Sequence, residues 1–84
     1  MDIREQFGRI LREMRIAKGL TQEELAFRAG MSVPYLSDIE RGKSAPSLSM
    51  LADLALALET HPSEMLRGLI LTADRQGRKR PKDS

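Results

Sequence analysis

Residues 21–42, TQEELAFRAGMSVPYLSDIERG, constrain the fold more than any other stretch, because they punctuate two short helices with a tight turn between them. Thr21 followed three residues later by Glu24 has the form of a capping box, in which hydroxyl and carboxylate satisfy backbone donors that a helix start leaves free. Gly30 closes this helix, since a residue without a Cβ enters the left-handed conformation at no steric cost. The helix is then about two and a half turns long at 3.6 residues per turn. Ser32 caps a second helix through the Tyr35 N–H, and Pro34, which lacks an N–H, sits in the first turn, where that loss matters little. This second helix is expected to run to Arg41 and stop at Gly42.

The two faces of the second helix differ. Leu36, Ile39 and Glu40 recur at helical spacing on one side, while Pro34, Ser37, Asp38 and Arg41 recur on the other. The first face packs and the second is left for a partner. Ala26, small enough to let two backbones approach, lies against it from the preceding helix. The stretch therefore reads as a helix-turn-helix.

These residues resemble the DNA-binding motif of the phage repressor and Cro family, also called the XRE family. The resemblance rests on Thr21-Gln22-Glu23-Glu24-Leu25-Ala26, Ala29-Gly30, Tyr35-Leu36-Ser37, Ile39-Glu40-Arg41-Gly42-Lys43 and Pro46-Ser47-Leu48, and covers roughly residues 3–70. It implies an all-α, five-helix, lambda-repressor-like domain that binds double-stranded DNA and regulates transcription. Short relatives of this kind include phage Cro-like repressors and the controller proteins of restriction-modification systems.

Around the motif, Ile3, Phe7, Ile10, Leu11 and Met14 recur at helical spacing, so residues 2–18 form an amphipathic first helix ended by Gly19. Arg4, Arg9, Arg12 and Lys18 form its solvated side. The resemblance implies that Arg15 pairs with Glu40, whose carboxylate sits beside the packed face of the motif's second helix and needs a partner there. After Gly42, the polar, proline-containing KSAP is a loop. Ser47 caps a fourth helix from Leu48 to about Glu59, with Leu48, Leu51, Leu54, Ala55 and Leu58 as a core stripe. Pro62 opens a fifth helix, expected to reach about Ala73. Residues 1–73 then form one helix-turn-helix domain, and the polar residues 74–84 a disordered basic tail.

Met65, Leu66, Leu69 and Ile70 on the fifth helix, joined by Leu71, give more apolar surface than one side of a terminal helix needs. The resemblance implies a homodimer interface here, with ordinary core as the alternative. A two-fold pair places two recognition helices in successive major grooves, roughly 34 Å apart, on an inverted-repeat operator.

The DNA contacts follow by carry-over from the resemblance. Gln22 matches a position that bonds a phosphate at a helix N-terminus. Arg41, Lys43 and Ser44 lie just past the recognition helix, where they meet phosphates, and Arg28 is a further phosphate candidate. Tyr35 has two readings, a phosphate contact through its hydroxyl or a cover for the core. Ser32, Val33, Pro34, Ser37 and Asp38 occupy the positions that approach base edges. None of the last four is Gln or Arg, so the bidentate pairings with adenine or guanine are missing. Val33 and Pro34 suit thymine methyls, Ser37 suits either type of base, and Asp38 suits a cytosine amino group or repels wrong sequences. Half-site spacing and DNA deformability then carry much of the specificity.

Charge is less telling. The 84 residues carry a net charge of +2, but residues 1–73 have nine Arg and Lys against ten Asp and Glu, and residues 74–84 have five against two. Affinity for DNA must therefore come from where the charges sit. The tail either adds phosphate contacts or serves as a solubilising end.

Other classes fit poorly. There is no cysteine and one histidine, His61, placed as a helix start beside Pro62. No metal-ligand cluster, Gly-rich phosphate loop or nucleophile constellation is evident, which argues against an enzyme, a metal site or a cofactor. No apolar run approaches the roughly 20 residues that span a bilayer, and MDIREQF lacks the pattern of a signal peptide, so a cytoplasmic protein is expected. The remaining alternative is an interaction module, such as an antitoxin whose motif binds DNA while its surface neutralises a protein partner.

Overall fold

A computed structural model describes residues 2–71. Its regular structure is entirely helical: α1 (Ile3–Ala17), α2 (Gln22–Ala29), α3 (Val33–Glu40), α4 (Leu48–Ala57) and α5 (Pro62–Leu66). Each helix begins where a side chain takes up a free backbone donor. Asp2 accepts from the Arg4 N–H, Ser32 from Tyr35, Ser47 from Met50 and His61 from Ser63. Thr21 and Glu24 form the full reciprocal capping box.

The first four helices end alike. After α3, Gly42 takes φ 79°, its N–H donates to the Ile39 carbonyl at 3.1 Å, and the Lys43 N–H reaches back to the Asp38 carbonyl at 2.8 Å. This paired closure is a Schellman motif, and it repeats after α1, α2 and α4. After α4, however, the left-handed residue is Glu59, at φ 58°. α4 therefore stops two residues earlier than its apolar spacing suggests.

The core gathers one stripe from every helix. Leu11, Leu25, Leu36, Ile39, Leu54, Leu58 and Met65 are fully buried, and Phe7, Ala26, Ala29, Leu51 and Ala55 complete the cluster. Each large side chain so placed stabilises by roughly 1.5–3 kcal/mol relative to an exposed one. α1 packs against α3 and α5, α2 against α3 and α4, and α4 against α5, so α3 is clasped between α1 and α2.

The crossing of α1 and α3 is close because Gly8 lies in it. A Cβ at Gly8 would collide with the carbonyl oxygens of Ile39 and Glu40. Gly42 is tight for a second reason besides its backbone: a Cβ there would come within 2.9 Å of the Glu5 Cα.

Three expectations are corrected. α5 ends at Leu66 instead of continuing toward residue 73. Past that end, the Gln6 amide of α1 accepts from the Ile70 N–H at 2.8 Å and donates to the Ile70 carbonyl at 3.4 Å, taking backbone groups that a longer helix would use internally. Met65, expected at an interface, is fully buried in the protomer's own core. Leu48, expected in the core stripe, is 83% exposed at the first position of α4. The end of the expected fifth helix at residues 72 and 73 and the expected tail at 74–84 lie outside the described residues.

Candidate nucleic-acid interface

α2 and α3 meet through the turn at Gly30, Met31 and Ser32. Gly30 takes φ 72°, and the Met31 N–H returns to the Ala26 carbonyl at 3.0 Å, so the chain reverses within one residue of the end of α2. Met31 packs against the core beneath the turn. The turn angle is therefore set by backbone closure and by a partly buried side chain together.

A buried ion pair then fixes α3 from behind. Arg15 donates from Nε to Glu40 Oε2 at 2.6 Å and from Nη2 to Glu40 Oε1 at 3.0 Å, the planar two-pronged geometry that guanidinium and carboxylate share. Its Nη1 donates to the Leu20 carbonyl at 2.9 Å. The side chains of Arg15 and Glu40 are only 11% and 2% exposed. The hydrogen bond to Glu40 raises the Arg15 pKa, against the lowering effect of burial. Gln22, the first residue of α2, donates its side-chain amide to Glu40 Oε1 at 3.0 Å. Glu40 thus ties α1, the start of α2 and the end of α3 at one point.

With its inner face held, α3 turns the other outward. Pro34 and Arg41 are exposed, Ser37 and Asp38 are half-buried, and Ser32 is exposed at the cap. Val33 and Tyr35 are half-buried against the core. Past the helix, Lys43 is exposed and Ser44 half-buried, and their backbone N–H groups both point at the Asp38 carbonyl, at 2.8 and 3.3 Å. Arg41 and Asp38 pair through Nη2 and Oδ1 at 2.9 Å.

The helix-turn-helix model matches residues 11–65 of the chain. An HTH-type transcriptional regulator, y4dJ, from Sinorhizobium fredii is 42% identical over 66 residues, which are 79% of this chain and 86% of that protein. The chain belongs to the XRE-type helix-turn-helix family of transcriptional regulators. Control protein C.BamHI from Bacillus amyloliquefaciens is 38% identical to this regulator over 77% of its length and 82% of C.BamHI. The crystal structure of the restriction-modification controller protein C.AhdI from Aeromonas hydrophila superposes with a TM-score of 0.73 at 45% identity, covering 74% of this chain and 94% of that one. A regulator of this family is a DNA-binding protein and not an enzyme.

The regulator's expected contact residues fall into one cluster and one outlier. Gln22, Ser32, Val33, Pro34, Tyr35, Ser37, Asp38, Arg41, Lys43 and Ser44 lie along α3, at its flanking loop or at the start of α2, with Val33 and Tyr35 turned partly toward the core. Arg28 sits six residues along α2 from Gln22, about 120° away around the helix axis, and does not share its face. Two relationships escaped the sequence reading: the Gln22 bond to Glu40, which needs tertiary proximity, and the Asp38–Arg41 pair, for which the three-residue spacing on one helix face was an available signal.

Proposed function

We propose that this regulator acts in the cytoplasm as a homodimer, laying α3 of each protomer into the major groove of an inverted-repeat DNA operator. One observation carries the reading: Glu40 clamps the packed side of α3 through Arg15, which leaves Ser32, Pro34 and Ser37 outward with cationic Arg41 and Lys43 at the far end. Short polar and apolar groups then approach base edges while cations and backbone N–H groups meet phosphates. The Gln22 amide, with one N–H committed to Glu40, keeps a second for a phosphate at the α2 N-terminus.

Dimerisation falls to Leu66 and Ile70, 41% and 69% exposed, together with Leu71 at 69%. Leu69 packs partly on the core and supports them from beneath. Among the described residues no helix is long and apolar enough to cross a membrane. C.AhdI and C.BamHI are named as controller and control proteins, and a controller role is the narrower form of this proposal.

Selection of bound duplexes from a random-sequence pool, with light scattering at the same protein concentration, tests it. An enriched inverted repeat bound by a dimer, with half-sites about one helical turn apart, is expected. A folded protein that enriches no sequence contradicts the proposal and moves weight to an antitoxin or other module that needs a protein partner.

A further inference from the structure

Asp38 and Arg41 are the two opposite charges on the outward face of α3. Their side chains pair at 2.9 Å while remaining 42% and 58% exposed. The backbone carbonyl of the same Asp38 receives the N–H groups of Lys43 and Ser44. One residue thus organises the whole flank beyond the helix: its carboxylate holds Arg41, and its carbonyl holds the loop that carries Lys43 and Ser44.

This arrangement bears on what a carboxylate is doing on a surface that meets a polyanion. Alone, Asp38 would repel every DNA sequence. Paired with Arg41, its charge is offset. Its Oδ1 occupies one of the five N–H donors of the guanidinium, so four remain for a second acceptor. The pair lies in the last turn of α3, and recognition helices present their N-terminal residues to bases, with their C-terminal ends falling toward the backbone.

We infer that Asp38 does not read a base but is a positioning residue, holding Arg41 across the end of α3 so that its guanidinium engages a DNA phosphate. The inference rests on the proposed DNA-binding function and replaces the sequence-based expectation of an Asp38–cytosine contact. Because the pair is exposed, it contributes little to stability, and removing either side chain leaves a folded protein.

The test is fluorescence anisotropy on the selected duplex and its single-base variants, over a range of salt, with the full chain as wild type, Asp38→Ala, Arg41→Ala and the double variant, each checked by thermal melting. Asp38→Ala is expected to weaken binding about 3- to 10-fold on every duplex. It should also lower the slope of log affinity against log salt by about 0.9, the equivalent of one phosphate. Arg41→Ala should do the same or more, and adding Asp38→Ala to it should cost nothing further and recover part of the loss, because the carboxylate left without Arg41 repels DNA. A lost preference at one base pair with an unchanged slope would make Asp38 a base reader and overturn the inference. Tighter binding by Asp38→Ala in both backgrounds would overturn it too, leaving only a repulsive charge. A wild type that selects no duplex would defeat the underlying reading before any variant is compared.

Discussion

Gln22 and Arg15 share one acceptor: both donate to Glu40 Oε1, each at 3.0 Å. The phosphate contact proposed for Gln22 is thereby coupled to the residue that sets the position of α3. Among the described residues no buried side-chain nitrogen or oxygen lacks a partner, so this junction is satisfied without solvent.

Removing Glu40 strands a largely buried guanidinium. Glu40→Ala should destabilise the fold by about 3 kcal/mol, within the range for breaking a buried pair from one side. At about 4–8 °C per kcal/mol for a domain of this size, the melting temperature should fall by more than about 10 °C. Arg15→Met combined with Glu40→Leu should cost less than the two single changes together, because neither charge is then left alone.

Gly8 inverts the usual rule for helices. An interior Gly→Ala change ordinarily stabilises a helix by about 0.5–1 kcal/mol. Here the new methyl meets the Ile39 and Glu40 carbonyls, the latter at 2.6 Å, so α1 and α3 must separate. Gly8→Ala should therefore destabilise by about 2 kcal/mol, read by thermal or denaturant unfolding.

Glu59 offers the opposite case, a non-glycine residue at φ 58°. Its pairing with Lys18 at 3.9 Å joins two exposed side chains and contributes little. Glu59→Gly should raise stability by about 0.5–1 kcal/mol, visible as a melting temperature several degrees higher. An unchanged or lower value would mean that the left-handed turn carries no strain.

The local chemistry of helix ends could be read directly. Thr21 with Glu24, Ser32 with Pro34, Ser47 and His61 each sit next to the groups they cap, so short-range rules suffice. Glu40 was marked by lying on an apolar face, and Arg15 by resemblance. What escaped depends on residues distant in the chain. Gln6 holds the backbone of Ile70, beyond α5, from 64 residues away, and Gly8 matters only because α3 crosses it. Met65 shows a third limit: apolar spacing identifies a buried-type residue but cannot choose between the core and a partner.

Separating core from interface gives a prediction for assembly. Leu66→Ser with Ile70→Ser should yield a monomer by light scattering with little loss of secondary structure. Met65→Ser should unfold the protomer instead, since it places an unpaired hydroxyl and a void in the core. A double variant that remains a dimer would remove Leu66 and Ile70 from the interface.

The most direct test of the central claim, that α3 and its flanks meet DNA while α1 holds them from behind, is an NMR titration of backbone amides with the selected duplex. The largest shifts should fall on Gln22, Ser37, Asp38, Arg41 and Lys43, with α1 residues such as Arg9 and Arg12 nearly still. Shifts concentrated on α1 or α4, with α3 unchanged, would contradict the account.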